Sequence, residues 1–169
     1  MAWLDFAVLA LIYIFVLFKK WGKSGKRVLI GKTFMYVYLS FVLYFTLMPI
    51  VSELPFVFNH EYRPMNLHPF EDIILHHANA KKEVILNVVM TIPFGMLFPV
   101  VHNNNKFIFI KTVFATFFLS LFIEIVQPLI NGFRASDITD VITNTIGGII
   151  GFLIYYCIKY LIVKLNKKN

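Results

Sequence analysis

Five runs of apolar residues, each close to the length of a membrane span, dominate this sequence. They extend over residues 2–18, 28–51, 84–101, 107–127 and 138–163, with the longest polar stretch at 52–83. A helix needs roughly 20 predominantly apolar residues to cross the hydrocarbon core of a bilayer. Because 59% of the 169 residues are hydrophobic and only 15% are charged, one small water-soluble core cannot bury the apolar surface. The runs therefore predict an all-α polytopic transmembrane bundle of about five spans, in a single domain over residues 1–169.

The basic residues are divided unevenly between the two ends of these runs. Twelve of the sixteen lie on one side: Lys19, Lys20, Lys23, Lys26, Arg27, Lys32, Lys106, Lys111, Lys159, Lys164, Lys167 and Lys168. The other side carries Arg63, Lys81, Lys82 and Arg134, together with all nine acidic residues. Lys and Arg accumulate in the cytoplasmic loops of membrane proteins. This distribution predicts an N-terminus outside, a C-terminus in the cytoplasm and an outer loop over residues 52–83.

Other global features argue against several classes of protein. The net charge of +7 does not favour a nucleic-acid partner, because the lysines flank apolar runs instead of forming a folded basic domain. The single cysteine, Cys157, lies inside an apolar run and has no partner for an intrachain disulfide. The first run carries Asp5 and lacks a small-residue cleavage pattern, which predicts a retained helix and not a removed signal peptide.

Polar side chains gather where the fourth run ends and the fifth begins. They are Glu124, Gln127, Arg134, Asp137, Asp140 and Asn144. The first two share a helical face because they are three residues apart, and the last three share another face with the spacing i, i+3, i+7. Ionisable groups in membrane spans usually face the bundle interior or a wet cavity. The pattern therefore predicts a polar cluster inside the bundle, at its outer end.

These residue types suit two kinds of role, and the sequence leaves both open. Arg134 suits bidentate binding of a carboxylate or a phosphate. Glu124, Asp137 and Asp140 are candidate catalytic groups for acid/base work, and they would also suit neutralising the arginine or holding a hard cation. Interhelical salt bridges that only lock the bundle would use the same residues. Asn87 in the third run has the same ambiguity, as a hydrogen-bonding link or as a site residue.

Glycine and proline residues shape the interior that is expected beneath this cluster. Gly147, Gly148 and Gly151 continue the polar face of the fifth run inward and would let a neighbouring helix approach closely. Pro93 and Gly95 interrupt the third run, which predicts a kinked helix lining the protein interior.

The histidines of the polar stretch do not form a metal-binding motif. They are His60, His68, His76 and His77. No pair has the spacing of a zinc enzyme, and adjacent histidines point in different directions on a helix. A solvated loop is the favoured interpretation; no cofactor site is predicted, and metal dependence is left open.

Three segments carry a recognisable pattern: NLHPF at residues 66–70, NVVMTIPFG at 87–95, and EIVQPLINGFRASDITDVITNTIGGIIG at 124–151. Together they resemble the core signature of the VanZ-like family. The third segment matches it at Glu124, Gln127, Arg134, Asp137, Asp140, Asn144 and Gly148. His68 departs from the pattern, because an aliphatic residue is expected there. The first two runs resemble the family only in being apolar spans, without a matching motif.

The resemblance implies a protein of the bacterial cytoplasmic membrane that is associated with reduced susceptibility to glycopeptide antibiotics, chiefly the lipid-tailed teicoplanin type. It implies no known reaction, cofactor or substrate. We hypothesise that an outward polar pocket binds or modifies an amphiphile, such as a lipid-linked envelope precursor or a lipoglycopeptide. The substrate-binding candidates are Asn66, Asn87, Gln127, Arg134 and Asn144.

Two alternatives remain beside this hypothesis, and the sequence does not decide whether the protein is an enzyme. One is a small proton-coupled transporter, since kinked helices and buried carboxylates also suit proton-coupled movement. Five spans without an inverted repeat would then require a homo-oligomer, formed through the face from Gly147 to Gly151. The other alternative is a non-catalytic membrane scaffold.

Overall fold

Helices carry nearly all of the regular structure. The computed structural model of the chain describes residues 2–57, 59–102, 106–130, 132 and 135–167. Apart from a 3-10 turn at Leu54–Phe56, its helices in chain order are α1 (Ala2–Gly22, π-helical at Tyr13–Leu17), α2 (Lys26–Thr46), the short α3 (Glu71–Ile74), α4 (Ala80–Val101), α5 (Ile108–Ile130) and α6 (Ile138–Asn166). All except α3 are long and apolar enough to cross a membrane, and no strand occurs among the described residues. The predicted all-α polytopic architecture with five spans is confirmed.

The helices differ from the predicted runs mainly at their ends. α2 stops at Thr46, before the predicted limit of residue 51, because Pro49 has no backbone N–H and disfavours helical geometry in the residue before it. α4 begins at Ala80 and not at residue 84, since the Lys and Glu side chains that follow are good helix formers and reach water easily. The remaining spans extend a few residues beyond the predicted runs at Gly22, Ile130 and Asn166. The loop between α2 and α4, residues 47–79, is called the long loop below.

The chain divides into two compact units. The first contains residues 1–69 and 121–138, and the second contains residues 70–120 and 139–169. The continuous helix α5 contributes to both, since its residues up to Ser120 belong to the second unit and those from Leu121 belong to the first.

In the first unit, aromatic hydroxyls connect α1 with α2. The Tyr36 hydroxyl donates to the carbonyl of Leu9 at 2.8 Å, and the hydroxyls of Tyr13 and Thr33 are also 2.8 Å apart. The rings of Tyr13 and Tyr36 stack with their centroids 5.5 Å apart. These contacts combine apolar area with satisfied polar groups, which favours close packing of two helices in lipid.

Asp5 connects the start of α1 with the turn that follows α2. Its side chain is only 4% exposed, and its Oδ1 accepts the backbone N–H groups of Ile50 at 3.0 Å and Val51 at 2.9 Å. Both N–H groups lie where α2 has already ended, so no helical carbonyl receives them. Asp5 therefore satisfies two backbone donors that lipid would leave unpaired.

In the second unit, glycines bring α6 into close contact with α4 and α5. A Cβ atom at Gly151 would overlap the carbonyl of Ile92, and one at Gly148 would overlap the Thr116 side chain. Where the helices meet, the Thr91 hydroxyl donates to the carbonyl of Asn144 at 2.7 Å. The close approach expected at this glycine face is confirmed, and the face is filled by helices of the same chain. If the protein were a transporter that forms a homo-oligomer, its subunits would therefore have to contact each other through a different surface.

The glycine packing predicts unequal effects of the same substitution at two positions. Gly151→Ala should destabilise the protein by about 1–3 kcal/mol, because the added methyl group collides with backbone atoms that cannot move away. Gly22→Ala is the matched control, since nothing lies within 4 Å of its Cβ position. The thermal unfolding midpoint of each variant in detergent measures the difference. Equal midpoints would contradict the packing.

The orientation predicted from charge stays a prediction that reporter fusions can test. Green fluorescent protein fused after Gly25 or at the C-terminus should fluoresce, while alkaline phosphatase fused after Asn79 should be active, because phosphatase needs an oxidising compartment to form its disulfides. The reverse pattern of activities would place the long loop in the cytoplasm.

Candidate functional site

A buried carboxylate, Glu124, stands near the end of α5 in the first unit. Its side chain is 2% exposed, and its Oε2 accepts the backbone N–H of Asp137 at 3.1 Å. Its own backbone carbonyl has no N–H partner four residues on, because that residue is Pro128. The hydroxyl of Ser136 donates to this carbonyl instead. The proline thus opens a polar position in the helix, and the segment after α5 folds back to fill it.

The long loop reaches the same place through Asn66. The Asn66 N–H donates to the carbonyl of Ser136 at 2.9 Å, and the Ile138 N–H donates to the carbonyl of Asn66 at 3.0 Å, which makes a one-residue parallel bridge. The side-chain amide of Asn66 also donates to Asp137 Oδ2 at 3.3 Å, while its Oδ1 accepts the N–H of His68 at 3.0 Å. Asn66 is therefore held by backbone and side chain together, beside the carboxylate of Asp137.

The structure thus brings three predicted site residues together. Glu124 is buried, whereas Asp137 and Asn66 are half-buried. Two neighbouring carboxyl groups are of a type used in acid/base chemistry. An amide beside them can orient a polar ligand. We call Asn66, Glu124, Ser136 and Asp137 the bridge cluster.

The side-chain amide of Gln127, a residue that shares a helical face with Glu124, bonds to another helix. Its side-chain amide donates to the carbonyl of Thr46 at 3.2 Å, and Thr46 is the last residue of α2. The Thr46 carbonyl lies at the end of a helix and lacks its usual helical donor. That donor would be the N–H of Ile50, which is bound to Asp5 instead. Gln127 therefore connects α5 with α2, and its amide hydrogen bonds to backbone.

Asn144 and Asp140 lie in the second unit, where Ser120 bonds both. The amide of Asn144 donates to the Ser120 hydroxyl at 2.8 Å, and that hydroxyl donates to the backbone carbonyl of Asp140 at 3.5 Å. Asn144 is 2% exposed, and its Oδ1 has no hydrogen-bond partner among the described residues. The Thr91 hydroxyl, which donates to the carbonyl of Asn144, also lies 3.0 Å from the backbone carbonyl of Asn87. These residues form a hydrogen-bonded helix contact within that unit.

Arg134 and the question of a metal site, which the sequence left open, concern groups outside the bridge cluster. Arg134, the predicted anion-binding residue, lies outside the described residues. No group of three or more His, Cys, Asp or Glu side chains suited to a metal ion occurs within the described part of the chain. Two of the histidines have other partners: His60 Nε2 is 2.8 Å from the carbonyl of Pro128, and His77 Nδ1 is 2.9 Å from Asp72.

The sequence analysis did not identify the buried Thr112, Thr116 and Ser120 of α5, although they continue the four-residue spacing of Glu124. Thr112, Thr116, Ser120, Glu124 and Pro128 follow one another at that interval along α5. The first four are buried, with at most 2% of each residue exposed. Their common face marks the side of α5 that packs inside the protein. Ser136 had no comparable signal, since it becomes recognisable only when the chain folds back on α5.

The bond from Ser136 to the Glu124 carbonyl predicts a coupled pair of substitutions. Ser136→Ala should cost about 1–3 kcal/mol, because it leaves a buried carbonyl without a donor. In a Pro128→Ala background the cost should be smaller, since an alanine at this position supplies the missing backbone N–H. Unfolding in detergent measures all four members of the cycle.

Ser40→Ala serves as the control for this cycle. The Ser40 hydroxyl also donates to a helix carbonyl, that of Tyr36, but this carbonyl keeps its ordinary helical donor. Its removal should change stability little. A cost for Ser136→Ala that does not depend on residue 128 would contradict the role assigned to the proline.

Comparison with known proteins places these features in a family context. The family model described as VanZ/LLP1 matches residues 33–161, a range that includes the bridge cluster and the α4–α6 contact. Protein VanZ of Enterococcus faecium is 35% identical over 114 residues, which are 68% of this chain and 66% of that relative. The match thus spans just under two thirds of the relative's length. No solved structure matches.

Proposed function

Because this multi-pass membrane protein belongs to the VanZ/LLP1 family, we propose that it acts in the bacterial cytoplasmic membrane and lowers susceptibility to teicoplanin-type glycopeptides. The bridge cluster, facing outward, is the part of the molecule that engages an amphiphile. That amphiphile is a lipid-linked envelope precursor or the lipid-tailed antibiotic itself.

The hydrogen-bonded group of Asn66, Glu124 and Asp137 carries this proposal. A carboxylate is costly at the end of a membrane helix. The amide of a glutamine would accept the N–H of Asp137 equally well at the position of Glu124. What the carboxyl group adds is the ability to exchange a proton or to bind a cationic or hydrogen-bonding ligand.

The proposal assigns separate roles to the groups involved. Asp137 is half-buried and contacts the polar head of the ligand, with Asn66 orienting it. Glu124 is buried behind it and holds or supplies a proton. Arg134 binds an anionic group of the ligand, as its residue type suggests. Binding alone would sequester the amphiphile, while proton transfer by the two carboxyl groups would permit its modification.

Antibiotic susceptibility of a sensitive host tests the proposal directly. Wild-type protein should raise resistance to teicoplanin more than to vancomycin. Glu124→Gln and Asp137→Asn should return teicoplanin susceptibility to the level of the host without the protein, because both variants keep an acceptor for the observed hydrogen bond and lose only the ionisable group. Arg134→Gln and Asp140→Asn test the other candidates. Membrane protein levels are measured in parallel.

Glu83→Gln is the control, since Glu83 is an exposed acid in the first turn of α4. It should protect like wild type. Equal protection by all variants would reduce the bridge cluster to a scaffold. Loss of protection together with loss of the protein would also indicate a structural role. A wild-type protein that gives no protection would remove the resistance role.

A further inference from the structure

A cavity of about 550 Å³ opens in the first unit beside the end of α5. Its lining residues are His60, Glu61, Tyr62, Arg63, Pro64 and Gly132. None of them belongs to the bridge cluster, although Pro64 lies only two residues before Asn66. The volume falls in the range of small-molecule sites in proteins.

One wall of the cavity is held in place by the chain around it. His60 Nε2 lies 2.8 Å from the carbonyl of Pro128, which can only accept, so this nitrogen carries the hydrogen. In the neutral ring, Nδ1 is then an acceptor. Gly132 lies directly against the imidazole, because a Cβ atom there would be 2.6 Å from His60 Cδ2. The ring position therefore depends on a residue without a side chain at 132.

The cavity carries one charge of each sign. Glu61 and Arg63 both line it, and both are exposed. Neither makes an ion pair or a side-chain hydrogen bond with any other described residue. A simple anion would be repelled by the carboxylate of Glu61, and a simple cation would be repelled by the guanidinium of Arg63. A ligand with both charges satisfies each group at once.

The surrounding segment indicates that the ligand comes from the membrane. Large apolar side chains of the same long loop are exposed: Leu54 by 58%, Phe56 by 54%, Tyr62 by 47% and Leu67 by 68%. Exposed aromatic and aliphatic side chains beside charged ones are typical of segments at the lipid–water interface.

We propose that this cavity binds the head group of a zwitterionic lipid that carries a primary amine and a phosphate. Arg63 binds the phosphate, and Glu61 accepts hydrogen bonds from the ammonium group, with His60 Nδ1 as a further acceptor. A quaternary amine has no N–H to donate, so phosphatidylcholine should bind less well than phosphatidylethanolamine. Phosphatidylglycerol has no positive charge for Glu61 and should also bind less well.

Lipid retention by the purified full-length protein tests this inference. The protein is exchanged into detergent, incubated with phosphatidylethanolamine, phosphatidylglycerol or phosphatidylcholine, and examined by native mass spectrometry. Wild type should retain phosphatidylethanolamine about tenfold better than the other two, as expected for one charge-assisted hydrogen bond. Equal retention of the three lipids would overturn the proposal.

The variants separate the two charges. Arg63→Gln should weaken retention of phosphatidylethanolamine and phosphatidylglycerol alike, whereas Glu61→Gln should abolish the preference between them. Gly132→Ala should weaken retention by displacing the His60 ring. The controls are Lys81→Gln and Glu83→Gln, exposed charges at the start of α4, and Gly22→Ala. Charge variants of the cavity that behave like these controls would contradict the assignment.

A displacement experiment identifies whether the ligand comes from the membrane or from solution. Water-soluble phosphoethanolamine has the same head group without acyl chains, so it should fail to displace the bound lipid at equal concentration. Displacement would overturn the membrane source and indicate a soluble zwitterion. Because retention is measured on purified protein, the result does not depend on the proposed effect on glycopeptide susceptibility.

Discussion

Backbone N–H and C=O groups that a helix cannot pair must find partners inside the protein, because lipid offers none, and this requirement organises the first unit. Asp5 receives the two donors of the turn after α2. Gln127 donates to the last carbonyl of α2, and Ser136 donates to the carbonyl that Pro128 leaves unpaired in α5. His60 donates to a carbonyl in the last turn of the same helix. Each of these helix interruptions is therefore matched by a polar side chain from elsewhere in the chain.

The same requirement accounts for the contacts of the bridge cluster. Asp137 gives its backbone N–H to the buried carboxylate of Glu124, and its own carboxylate accepts the amide of Asn66. The backbone bonds fix the positions of the side chains, while the carboxyl groups keep their capacity to exchange protons or bind a ligand. Groups held by backbone contacts in this way have fixed relative positions.

The second unit is stabilised in another way. Its helices approach through glycine and small hydroxyl side chains, as α4 and α6 do at Gly151 and Thr91. In lipid such contacts replace the hydrophobic driving force that is available in water. The buried Oδ1 of Asn144, with no partner among the described residues, is the exception within this packing. Because the glycine face is filled by the same chain, a transporter-like dimer would have to form elsewhere.

The five membrane spans can be predicted from the sequence alone, since their length and apolar character are local properties of each run, and motifs such as that from Glu124 to Gly151 indicate the family. It also identified Asn66, Glu124 and Asp137 as site candidates. Their partners could not be predicted in this way, because Asn66 and Asp137 are 71 residues apart and no local pattern records that pairing. The same holds for Gln127, which bonds α2, and for the early end of that helix. Hydrogen-bond partners are chosen by which segments meet in space, and the propensities of single segments do not contain that information.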